Sequence, residues 1–201
     1  MGRIPRGQLL FDGCYAHIFS RSIEKKFIFK TDADFEYFKR LLITAKTRYD
    51  FQIYHYCLMH THFHFALRIG NGEAFSQGMK AVKYDYTQDY NRRHQRRGPL
   101  WQNRFKSLLI ENEQYLYACG LYIENNPVET GVVGEKTKWP YSSACYYEQK
   151  ANDPLVDPYE LPELGAEQKQ LLPESFVKGS GIGSAFFRFQ LKEGHKPLSV
   201  P

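Results

Sequence analysis

Apolar positions alternate with polar ones in parts of this chain and recur every three or four residues in others, and the switches between the two periods mark its elements. Residues 14–21, CYAHIFSR, are rich in β-formers, follow Gly13 and predict a strand. Phe35, Phe38, Leu42, Ala45 and Tyr49 then recur at helical spacing and predict a helix over about 32–48. Thr31 is placed to cap it, and Asp32 and Asp34 stand where the helix dipole favours anions. Two extended runs follow, 51–58 (FQIYHYCL) and 62–69 (HFHFALRI). They are so close that an antiparallel hairpin is the simplest connection. Phe75, Met79, Val82, Tyr86 and Tyr90 mark a second helix over about 73–94, and Gly98-Pro99 closes that region. RFKSLLI at 104–110 predicts another strand. Asn112 is the expected cap of a third helix. That helix should end before Asn126-Pro127, because a residue ahead of proline disfavours helical backbone.

The order is β-α-β-β-α-β followed by one more helix, which predicts an α+β, ferredoxin-like fold: an antiparallel sheet with helices on one face. Beyond residue 150, proline and glycine become frequent and periodicity weakens. The expected organisation is one domain over 1–149 and an irregular C-terminal tail over 150–201. There are no internal repeats or low-complexity tracts.

Of the 201 residues, 42% are hydrophobic, enough for a real core. No apolar run approaches the ~20 residues of a membrane helix, and MGRIPRGQLLFDG has no signal-peptide stretch. The expectation is a soluble, cytoplasmic protein with no membrane partner. Cys14, Cys57, Cys119 and Cys145 are not paired as C-x-x-C, which disfavours a zinc ribbon, and they are expected as reduced core residues. The net charge of +5 is moderate, but its distribution is uneven. Lys80, Lys83, Arg92, Arg93, Arg96, Arg97, Arg104 and Lys106 fall in one region, interleaved with Tyr84, Tyr86, Tyr90, Trp101 and Phe105. Cations grip phosphates and flat rings stack on unpaired bases, so the mixture suits single-stranded nucleic acid. A solvated helix face above a tyrosine-rich core has the same composition.

Residues 60–64 read His-Thr-His-Phe-His. Side chains two apart on a strand share a face at a separation of about 6.5–7 Å, from which two imidazoles can converge on one metal ion. His62 and His64 are the favoured pair, with Phe63 turned into the core; all three histidines together are the second choice. A metal-free surface cluster is the alternative. In NEQYLYACGLYIENNP, helical spacing puts Tyr115, Tyr122 and Asn126 on one face and Leu116, Gly120 and Ile123 on the neighbouring face, toward the sheet. An amide at Asn126 would complete a His-His-Asn set beside a phenol. Spacing alone does not choose between Tyr115 and Tyr122.

Together these pieces resemble a known family. MHTHFHFAL at 59–67 resembles the His-hydrophobic-His (HUH) motif of the single-tyrosine, IS200-like transposases. GPLWQNRFKSLLI at 98–110, YIENNPVETGVV at 122–133, WPYSSACYY at 139–147 and HIFSR at 17–21 are similar to further segments of that family, in the same order. The nearest sub-group is the REP-associated tyrosine transposases. Members usually carry Pro-Asn ahead of the first histidine, where this chain has His60-Thr61. Glu124-Asn125 stand where apolar residues are common.

The resemblance implies that His62 and His64 are metal ligands, with Asn126 as third ligand or polar helper, and that Tyr122 is the nucleophile. It implies a Mg²⁺- or Mn²⁺-dependent transesterase that nicks and joins single-stranded DNA beside hairpins through a 5′-phosphotyrosine. His17, Arg21, Arg92, Arg93, Arg96, Arg97, Arg104 and Lys106 are the expected DNA contacts, with Trp101 either stacking on a base or packed in the core. Such a protein would be nucleoid-associated and either a monomer or a homodimer. The rival expectations are a ferredoxin-like binding module without chemistry, and a metal-dependent hydrolase that activates water.

Overall fold

The computed structural model describes residues 10–159. Strand β1 (Tyr15–Arg21) leads through a 3-10 turn at Ile23–Lys25 to helix α1 (Asp32–Arg48). The hairpin β2 (Phe51–Met59) and β3 (His62–Ile69) follows, then α2 (Gly72–Arg93), β4 (Lys106–Ile110) and α3 (Glu113–Glu129). A 3-10 turn at Lys136–Lys138 and the short α4 (Ala144–Gln149) complete the order. The strands lie β2-β3-β1-β4, each pair antiparallel. This is the expected ferredoxin-like sheet, with β1 and β3 at its centre.

Strand alternation divides the side chains between two layers. Phe63 and Phe65 point toward α1 and α2, where Phe63 meets Phe38 and Trp101. Ser20 of β1 shares that layer and accepts a hydrogen bond from Lys83 of α2. His17, His62 and His64 point the other way. Helix α3 covers that second face, so the appended helix lies across the sheet from α1 and α2. Its close approach needs Gly120: a Cβ there would lie 2.5 Å from the ring of His55.

Asp34 does more than complement a dipole. It is fully buried, and its carboxylate accepts from the Thr31 and Lys30 backbone N–H groups, from Arg93 at 2.6 Å and from His94 at 3.1 Å. The start of α1 is thereby tied to the end of α2. Burial raises this carboxyl, but the bonds from His94, Thr31, Lys30 and Arg93 outweigh it and hold the pKa at about 2.

Three boundaries differ from expectation. Helix α3 runs through Pro127 to Glu129 rather than stopping before Asn126. Pro127, two residues before the end of the helix, forfeits one backbone bond, and Thr130 ties off the end by donating from its N–H and hydroxyl to the Asn126 carbonyl. Strand β4 begins at Lys106 rather than 104, because its pairing with β1 ends at Phe19 opposite Lys106. Residues 150–159 also pack on the body, which therefore continues past residue 149. Leu155 and Val156 are buried, and Asp157 accepts from the Ile53 N–H at 2.7 Å while pairing with Lys46 at 2.8 Å. The rest of the expected tail, 160–201, lies outside the described residues. All four cysteines are free, three of them buried. No helix of the described residues is long and apolar enough to cross a membrane.

Candidate active site

The register of the sheet builds this site. His62 lies opposite Arg21 on β1, and His64 opposite Phe19 on β1 and Cys57 on β2. Period-two geometry puts both imidazoles on the α3 face, with ring centroids 5.2 Å apart and planes nearly perpendicular. Tyr122 of α3 comes down edge-on to His64 at 5.6 Å and to His17 at 5.9 Å. One turn later, Asn126 places its Oδ1 3.2 Å from His62 Nε2. Asn126 also stands close enough to the Tyr122 hydroxyl to favour its ionised form. Tyr122 and Asn126 are 7% and 6% exposed, so both work from within the sheet–helix layer.

The outer nitrogens are held as well. His62 Nδ1 accepts from the Thr61 hydroxyl at 2.9 Å when Nε2–H donates to Asn126. His64 Nδ1 lies 2.9 Å from His17 Nε2, which leaves His64 Nε2 for a ligand. Burial pushes His17 down to about 3, and burial together with its two neighbouring imidazoles holds His64 far below the usual histidine range. His62 is also lowered by burial, which the Asn126 bond partly offsets. All three rings are therefore neutral near pH 7, the form in which imidazole binds metal. Tyr122 is pushed up to about 12, first by burial and then by Cys119, Cys57 and Glu129, against the lowering bond from Asn126.

The donor atoms suit a small divalent cation. Two ligands bound at about 2.1 Å and near-right angles lie roughly 3.0–3.4 Å apart, and His62 Nε2 and Asn126 Oδ1 already stand at 3.2 Å. Among the described residues no three His, Cys, Asp or Glu side chains gather as a metal site. The set here is two imidazoles and one amide.

A cleft of about 420 Å³ opens beside the histidines. Arg21, Arg104 and Lys106 line it, joined by Lys25, Gln102 and Asn103. Arg92, Arg93, Arg96 and Arg97 do not line it. Arg92 and Arg93 bind Asp89, and Arg93 also binds Asp34, so it serves the helix junction. Arg96 lines a separate recess, and Arg97 is exposed.

Three expectations need correction. His17, expected to contact DNA, is fully buried and instead lies behind His64. Trp101 takes the core alternative: its indole N–H donates to the Lys83 carbonyl, and its ring packs among Phe29, Phe38, Phe63 and Tyr86. The three-histidine site is not formed, because His60 Nδ1 bonds the Phe29 carbonyl at 2.7 Å and its ring stacks on Phe27.

Sequence reasoning also missed a buried polar group behind α3. Glu124 binds His55 Nδ1 at 2.8 Å, the Ser143 hydroxyl at 2.9 Å and Lys136 at 3.5 Å, while His55 Nε2 meets the Tyr159 hydroxyl. The one available signal was an acid at a position where apolar residues are common. WPYSSACYY supplies Ser143 and seals the edge of β2: Trp139 donates to the Leu58 carbonyl, and the Leu58 N–H to that of Tyr141.

Comparison with known proteins agrees with this architecture. A putative REP-associated tyrosine transposase of Haemophilus influenzae is 29% identical over 105 residues, which cover 47% of this chain and 60% of that protein. The chain thus spans less than two thirds of that relative's length. A solved structure of a REP-associated tyrosine transposase bound to a REP hairpin superposes with a TM-score of 0.63 at 19% identity, covering 83% of this chain and 96% of that one. That likeness concerns the fold. The family model of the IS200-like transposases matches residues 11–126, more than half of the chain. By that match, over the span that holds both histidines, Tyr122 and Asn126, the chain belongs to the IS200-like transposase family.

Proposed function

We propose that this protein nicks and rejoins single-stranded DNA next to a hairpin, with Tyr122 as the nucleophile. The observation that carries this reading is the convergence of Tyr122 and Asn126 from α3 on His62 and His64 from β3. Membership in a transposase family and a structural neighbour that carries a REP hairpin support the same substrate.

His62, His64 and Asn126 would hold Mg²⁺ or Mn²⁺; the imidazoles favour Mn²⁺ and the amide oxygen suits either. Once bound, the cation would polarise the scissile phosphate and neutralise its developing charge. The remaining steps belong to the chain. Arg21, Arg104 and Lys106 hold the backbone of the strand in the cleft. The edge-on contacts with His17 and His64 fix the plane of the Tyr122 ring, and the nearby Asn126 amide favours the ionised hydroxyl. The Tyr122 oxygen forms a bond to phosphorus while the bond from phosphorus to the 3′ oxygen breaks. The phenol proton is lost, and the leaving 3′ oxygen takes one up. The products are a 5′-phosphotyrosine and a free 3′-hydroxyl, which can reverse the reaction or be replaced by another strand. Burial raises the Tyr122 pKa, so the phenol must lose its proton as it attacks.

The test is incubation of a labelled single-stranded hairpin DNA with Mn²⁺, followed by denaturing electrophoresis. A covalent protein–DNA adduct is expected, and it should be absent from Tyr122→Phe. A free 5′-phosphate with no adduct would make water the nucleophile, and binding without cleavage would make the protein a binding module. For a homodimer, mixing His64→Ala with Tyr122→Phe subunits tells whether a tyrosine serves its own histidines or its partner's.

A further inference from the structure

The segment between β1 and α1 wraps the turn that precedes His62. Ser22 N–H donates to the Thr61 carbonyl, and the Ile28 and Phe29 N–H groups donate to that of His60. Within this segment Glu24 and Lys25 both adopt positive φ, near 54° and 53°, a conformation non-glycine residues seldom hold. Beyond that kink stands Phe27, a large apolar side chain that is 55% exposed. One face of its ring lies flat on His60, with centroids 4.8 Å apart and 12° between planes. His60 is itself fixed by the Phe29 carbonyl and flanked by Phe35 and Trp139. Phe27 is therefore a rigidly backed ring presented to solvent.

Next to it lies a recess of about 230 Å³, separate from the histidine cleft. Its walls include Lys30, Arg96, Tyr90 and Lys26, which pairs with the exposed Glu24 at 2.7 Å. The kinked segment borders both hollows: Lys25 lines the histidine cleft, while Ile23, Lys26 and Phe27 line the recess. An aromatic platform beside cations, on a segment that also borders a cationic cleft, is a combination that binds unpaired bases along a phosphate backbone.

We propose that Phe27 stacks an unpaired base of the DNA strand that enters the histidine cleft, with Lys26, Lys30 and Arg96 gripping the adjoining phosphates. This subsite rests on the reading of the cleft as a single-stranded DNA site, but it needs no chemistry there. It also gives Arg96, which the cleft does not use, a place on the strand.

The experiment uses the full chain in a Tyr122→Phe background, so that covalent trapping plays no part. Two fluorescein-labelled probes are titrated by anisotropy: a DNA hairpin with single-stranded flanks, and the same hairpin with none. Phe27→Ala is expected to weaken binding of the flanked probe roughly 5- to 150-fold, the range for losing one base stack, and to leave the blunt probe unchanged. Phe27→Tyr should restore the loss, because it keeps the ring. Equal affinity of Phe27→Ala and its parent for the flanked probe overturns the proposal, as does an equal loss on both probes. Thermal melts followed by circular dichroism check that the exposed substitution leaves the fold intact. If the flank-specific loss is seen while the parent tyrosine enzyme forms no adduct, the catalytic reading fails and the stacking site stands.

Discussion

Glu124 and His55 are joined at 2.8 Å across the interface between α3 and β2, and each is under 5% exposed. Glu124 lies between Tyr122 and Asn126 in the sequence, so this pair helps set the rotation of the helix that carries both. Burial raises the Glu124 carboxyl, and His55, Lys136 and Ser143 outweigh that to hold it below the usual range. It is a charged group kept buried by three partners. Glu124→Ala should lower stability by about 1–3 kcal/mol, the cost of leaving buried hydrogen-bonding partners unsatisfied. Urea unfolding measures it; a change under about 1 kcal/mol would mean that the pair carries little of the interface.

Gly120 offers a gentler way to disturb the same interface. Because an added Cβ would meet the His55 ring at 2.5 Å, Gly120→Ala must push α3 or the ring aside. The adduct-forming rate at saturating DNA should fall about tenfold or more, since small displacements of reacting groups cost rate steeply. DNA affinity should hold, because the cleft cations lie on other elements. A loss of affinity with an unchanged rate would contradict this.

His17 stands behind His64 as the partner of its second ring nitrogen. Groups in that position orient a ligand and tune its basicity, and their loss commonly lowers metal affinity roughly 10- to 100-fold. His17→Phe keeps most of the volume and removes the nitrogen. Calorimetric titration with Mn²⁺ should show that weakening, and adduct formation should need correspondingly more metal. Unchanged Mn²⁺ affinity would assign His17 to packing alone.

Asp34 makes stability depend on acid. Its folded pKa of about 2 lies below its ordinary value of 3.8, so its contribution is complete above about pH 4 and is lost as pH falls toward 2. The shift corresponds to about 2 kcal/mol. Asp34→Asn should be destabilised near neutral pH by about 3 kcal/mol, and the gap from the parent should narrow as the pH drops through that window. Urea unfolding at a series of pH values follows it, and a gap that stays constant below pH ~4 would remove Asp34 as the cause.

Local rules carried much of this protein. Period two in HFHFALRI was enough to put His62 and His64 on one face and Phe63 on the other, because strand geometry leaves no choice. The 3.6-residue repeat similarly grouped Tyr115, Tyr122 and Asn126, and the element order led to the ferredoxin-like sheet. Contacts between residues far apart in sequence were beyond those rules. Only packing of α3 on the sheet sets Tyr122, rather than Tyr115, edge-on to His64. His17 reaches His64 across 47 residues because β1 and β3 are neighbours, and Glu124 reaches His55 across 69. The basic stretch shows the same divide. Composition made its arginines equivalent, but burial and pairing with Asp34 and Asp89 gave Arg93 to the scaffold, while the sheet edge left Arg104 at the cleft. The proposed tyrosine attack on phosphate was legible in the motifs through their resemblance to a family. The tertiary structure decided which residues stand together at the candidate site, since periodicity orients a side chain within its own element but does not select its partners on another.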